Sequence, residues 1–134
     1  MNAPLVVAGC LAILGAAIHG VAGEILVMRR LSPDLLPPTR LGGRPTTRAM
    51  IHVSWHLATI AFLTVGVALL LSGSLLDRDA ARAMSMLAAV AATAFAALVV
   101  GLGAAHTRSP RSALHHPGPA VLTATAALAW WGAL

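Results

Sequence analysis

Two histidines, His52 and His56, stand four residues apart where a long apolar run begins. On an α-helix that spacing places both imidazoles on one face, one turn apart. Neutral imidazole is the commonest metal ligand. At membrane depth it is costly unless it finds a partner, so the pair predicts a polar or metal site. Val53, Ser54 and Trp55 separate the two rings, and no glutamate lies among them. That excludes the His-Glu-X-X-His signature of zinc proteases.

The other chemistry-bearing residues are few. His19 and Glu24 lie near the end of the first apolar run, and Glu24 is the one acidic residue inside any such run. His106 closes the third run, and His115 and His116 open the last. Imidazoles from separate helices with a carboxylate nearby suit zinc, iron or copper. The predicted ligands are His19, His52, His56 and His116, with Trp55 packed beside them and His106 and His115 as further candidates. Interhelical hydrogen bonding, or plain solvation for the loop histidines, is the competing reading. Glu24 follows His19 by five residues, which on an ideal helix separates the side chains by about 140°. It is therefore open among several roles: a proton-shuttling catalytic group, a carboxylate orienting a histidine, a ligand enabled by a kink near Gly20 or Gly23, or an ion-pair partner of Arg29 or Arg48.

These residues need a scaffold, and composition names its class. Of 134 residues, 58% are hydrophobic and 10% charged, against about a quarter charged in soluble domains. Apolar runs of this length read as transmembrane helices. The expectation is an all-α, four-transmembrane-helix bundle in the lipid bilayer, forming one domain over residues 1–134, with helices near 4–29, 47–71, 80–105 and 117–134. The first run, from Pro4 to Met28, is too long for a signal-peptide core. Ala12, Ala16 and Gly20 form a small-residue stripe that admits a neighbouring helix. Gly73 is expected as a C-cap, Asp79 as an N-cap and Pro117 as the first residue of its helix. Pro, Gly and Arg make residues 31–47 a long loop. Trp130 and Trp131 fall where an interfacial aromatic belt is expected.

Seven arginines flank the first and third loops and two flank the second. The positive-inside rule then makes loops 1 and 3 cytoplasmic, in a bacterial inner membrane, with both termini outside. All six histidines fall toward the cytoplasmic side of that arrangement. At 1.5 Å per residue His19 lies roughly 13 Å and His56 roughly 12 Å from their helix ends, so the two can meet.

The same residues exclude several chemistries. Every basic residue is arginine, so no lysine Schiff base can form. The single cysteine, Cys10, permits no intramolecular disulfide and no Cys-X-X-Cys-His haem attachment. No basic patch alternates with aromatics as nucleic-acid binding requires. What remains first is a membrane metal protein, a redox enzyme on a small or lipid-soluble substrate with an external electron donor. A b-type haem carrier ligated by His19 and His56 is the alternative. A proton-coupled transporter, which four short helices could form only as a homo-oligomer, or a structural membrane subunit are the others.

Overall fold

The computed structural model describes residues 1–40, 42–107 and 117–134, with side chains over the same residues except 106 and 107. Among the described residues every regular element is a helix: α1 (Ala3–Ala17), a π-turn (Ile18–Ala22), α2 (Gly23–Leu26), 3₁₀ turns at Met28–Arg30 and Pro33–Leu35, α3 (Gly43–Ser74), α4 (Arg78–Thr107) and α5 (Pro117–Ala133). Three segments are long and apolar enough to cross a membrane: Ala3–Arg30, Gly43–Ser74 and Arg78–Ala105, with mean hydropathy 2.0 to 2.2. At 17 residues, α5 is shorter than these.

Contacts divide the chain into two units, Met1–Gly15 with Phe62–Leu134, and Ala16–Ala61. In the first, small residues set how closely helices approach. A Cβ on Gly66 would lie 2.9 Å from the Ile13 backbone nitrogen and 3.0 Å from Gly9 O, so α1 and α3 meet almost backbone to backbone. Leu5, Ala8, Leu69, Ala88, Ala89 and Ala129 form the buried core. Asn2 ties three elements at one end: its backbone N–H donates to Gly73 O at 2.8 Å, its Nδ2 donates to Gly132 O at 2.8 Å, and its Oδ1 accepts from Leu5 N at 3.3 Å.

Two expected caps differ. Gly73 lies inside α3, buried against the first turn of α1, where a side chain would strike Asn2 O at 3.0 Å. The glycine is there for close approach, not for a left-handed turn. Asp77, not Asp79, caps α4, its Oδ1 accepting from Asp79 N at 3.2 Å and Ala80 N at 3.0 Å. Trp131 is exposed, whereas Trp130 turns inward and donates to Thr93 Oγ1 at 3.0 Å.

In the second unit α3 begins at Gly43, four residues before the expected start. Gly42 and Gly43 take positive φ (152° and 72°), a conformation that favours glycine. Pro45 then falls in the first turn, where its missing N–H costs nothing. Two bonds join the connection to α3: Thr47 Oγ1 donates to Pro37 O at 2.7 Å and Arg44 Nε to Leu36 O at 3.1 Å. The first apolar run, expected as one continuous helix over 4–29, changes hydrogen-bonding pattern at Ile18.

Candidate metal centre

On α3, Arg48, His52, Trp55, His56 and Thr59 recur at steps of three and four residues, which makes one stripe along a helix face. Segment Ala16–Arg30 packs along that stripe. Gly20 and Gly23 let it approach. A Cβ on Gly20 would lie 2.8 Å from Thr59 Cγ2, and one on Gly23 would overlap the Trp55 indole, 2.7 Å from Cε2. Between His19 and Glu24 the backbone widens into the π-turn, with the Gly23 N–H reaching Ile18 O. One such turn holds about an extra residue, so residues five apart return to nearly the same face. The 140° separation of an ideal helix does not apply, and His19 and Glu24 both face α3.

The widened turn is held by Trp55 and Thr59. Trp55 Nε1 donates to His19 O at 3.1 Å, and the His19 ring lies flat on the indole, with centroids 4.2 Å apart and planes within 10°. Thr59 Oγ1 donates to Trp55 O at 3.2 Å and lies 2.9 Å from His19 Nδ1. The hydroxyl has one proton. With that proton on Trp55 O, Thr59 Oγ1 accepts from His19 Nδ1.

One turn further along, three ligand atoms converge. Glu24 Oε2 lies 2.8 Å from His52 Nε2 and 3.4 Å from His56 Nε2, and the two Nε2 atoms are 3.2 Å apart. A carboxylate oxygen has room for two donors, so both rings can donate to Glu24 Oε2 when their Nε2 atoms carry protons. With those protons removed, the same three atoms present three lone pairs to one point and could hold a cation. The circle through the three atoms has a radius of about 1.8 Å, within the usual ~2.0–2.2 Å metal–ligand distance, so one metal could reach all three. His52 and His56 are 40% and 44% exposed.

Arg29 meets the carboxylate directly, and Arg48 holds the backbone that carries Arg29. Arg29 Nε is 3.5 Å from Glu24 Oε1, so one oxygen serves the arginine and the other the histidines. Arg48 donates from Nε to Leu31 O at 2.9 Å and from Nη2 to Met28 O at 3.2 Å. It thereby closes the 3₁₀ turn that carries Arg29 and satisfies carbonyls left open at a helix end.

Of the residues named from sequence, the structure brings Glu24, His52 and His56 together. His19 is placed against Thr59 and Trp55. Trp55 stacks on the His19 ring and donates to His19 O. The His106 side chain, His115 and His116 lie outside the described residues. Sequence reasoning did not identify Thr59 as the His19 partner or Arg48 as the clamp on Met28–Leu31. The available signal was their place on the His52–His56 stripe. No family model, curated protein or solved structure matches this chain.

Proposed function

We propose that the chain is an integral membrane metalloprotein of a single four-span domain, in which Glu24, His52 and His56 hold one divalent metal. The observation that carries this is the three-atom triangle, whose edges of 2.8, 3.2 and 3.4 Å bracket those of an octahedral or tetrahedral face. Two imidazoles and one carboxylate with open positions are the donor set of non-haem ferrous oxygenases and of catalytic zinc in hydrolases. The set lacks the soft sulfur donors that favour cuprous ions. Ferrous iron and zinc are therefore the metals proposed, with a small or lipid-soluble substrate at the open positions. Glu24 acts as ligand, which leaves proton shuttling to the bound water.

Helix length supports a site near the membrane surface. Counting back along α3 from Ser74, twenty residues end at Trp55, and at 1.5 Å each they cover the ~30 Å of hydrocarbon. His52 then sits at the headgroup level and His56 at the edge of the hydrocarbon, where half-exposed imidazoles and exchangeable ligands are tolerated. The arginine count puts that side in the cytoplasm, and α5 serves as the fourth, short span. A haem between His19 and His56 has less support, because one face of the His19 ring is stacked on Trp55 and its Nδ1 is bonded to Thr59.

The test is metal analysis of detergent-purified protein with an absorption spectrum. The expected result is close to one iron or zinc per chain and no Soret band. His52→Ala, His56→Ala and Glu24→Ala should each lose the metal while keeping helical circular dichroism. His19→Ala should keep it; loss there would make His19 a fourth ligand. Folded wild-type protein that takes up neither metal would end the proposal.

A further inference from the structure

Resting on the metal reading, we propose that the open face of the Glu24–His52–His56 triad binds a phosphate group, bridged between the metal and the Arg29 guanidinium. Arg29 meets Glu24 through Nε, at 3.5 Å, with a side chain 70% exposed. Among the described residues Nη1 and Nη2 have no hydrogen-bond partner. Such a fork takes two oxygens of one anion side by side. The backbone that carries it is held by Arg48, which donates to Met28 O and Leu31 O on either side of Arg29 in the chain.

Charge points the same way. A divalent metal on one carboxylate and two neutral imidazoles leaves a net positive centre, and Arg29 adds to it. Within Ala16–Ala61 there are five arginines but one acid besides Glu24, Asp34. An anion at the open positions neutralises this excess. At headgroup level, phosphate is the abundant anion with enough oxygens for both metal and fork. It can come from a phospholipid headgroup or from free phosphate.

Protein in maltoside detergent, free of phosphate, is saturated with Co(II), whose visible bands report its ligands. Inorganic phosphate, dihexanoyl phosphatidic acid and acetate are then titrated separately. A saturable band shift with inorganic phosphate, with the short-chain lipid or with both is expected. The tighter of the two identifies the source. Arg29→Gln should raise the half-saturating concentration by roughly tenfold or more, the usual scale for losing a charge-assisted fork, at unchanged Co(II) stoichiometry. Three results would overturn the inference while leaving the metal site standing: bound Co(II) with no response to either phosphate, an equal response to acetate, or an unaltered titration in Arg29→Gln. Failure to bind Co(II) at all would overturn both.

Discussion

Gly23→Ala should be among the most damaging single-methyl additions in this chain, and its cost can be worked from the contacts. The new Cβ would overlap the Trp55 ring, 2.7 Å from Cε2 and 2.9 Å from Nε1. The indole must move, because the helix backbone carrying the methyl cannot yield by that much. Overpacking of this kind costs about 1–3 kcal/mol. Moving the indole breaks the Trp55–His19 O bond, about 1 kcal/mol, and the stack on the His19 ring, about 0.5–1.5 kcal/mol. Against this, alanine is the better helix former by about 1 kcal/mol. The net expectation is a loss of roughly 2–4 kcal/mol. Gly101→Ala is the control, since a methyl added there meets nothing within 4 Å; it should be neutral or stabilising by up to ~1 kcal/mol. Dodecyl sulfate titration of maltoside-solubilised protein, followed by circular dichroism, measures both. Trp55 emission in a Trp130→Phe, Trp131→Phe background reports the indole itself. If Gly23→Ala were as stable as wild type within about 0.5 kcal/mol and Trp55 emission did not change, the close packing of the π-turn on Trp55 would be refuted.

Three further outcomes can be read in the same assays. Arg48→Met removes both bonds to Met28 O and Leu31 O and should cost about 1–3 kcal/mol, with faster proteolysis in the connection between Leu31 and Gly42. Gly66→Ala puts a methyl against backbone atoms of Gly9 and Ile13, which cannot move aside as a side chain can; about 1–3 kcal/mol should be lost. Asp77→Ala deletes the α4 cap at about 1 kcal/mol, whereas Asp79→Ala should cost less; the reverse order would argue against Asp77 as the cap.

Long-range features of the sequence were the more readable ones. Helical periodicity alone puts His52 and His56 on one face, and their rings lie 5.0 Å apart. Apolar run length alone marks spans near 4–29, 47–71, 80–105 and 117–134, and the first three coincide with the long apolar helical segments Ala3–Arg30, Gly43–Ser74 and Arg78–Ala105. What was not legible depends on local backbone choices. Equal helical depth gives His19 and His56 a common axial coordinate and no more, whereas the bond to Thr59 and the stack on Trp55 that hold the His19 ring depend on rotation about the helix axis. Gly73 reads as a helix stop by residue type, yet its role is set by what packs on it. Asp77 and Asp79 are equally good caps in sequence, and two residues of helix start decide between them.

The placement of Glu24 is the sharpest case, because it turns on one residue of helical phase. A π-turn is in effect a single-residue insertion in an α-helix. The flanks stay in register only if the widened turn is kept, and here the Gly23 N–H to Ile18 O bond keeps it. Two consequences follow from that equivalence. Deleting Val21, which is 64% exposed, should let the segment close into ordinary α-helix, with Glu24 now four residues after His19 and still within about 40° of its face. Metal uptake should then fall by less than ~10-fold, far less than on losing a ligand outright. Inserting one alanine after Val21 should instead swing Glu24 by about 100° and abolish uptake with helicity intact. If the deletion abolished uptake and the insertion spared it, the helical phase assigned to Glu24 would be wrong, and with it the carboxylate corner of the proposed site.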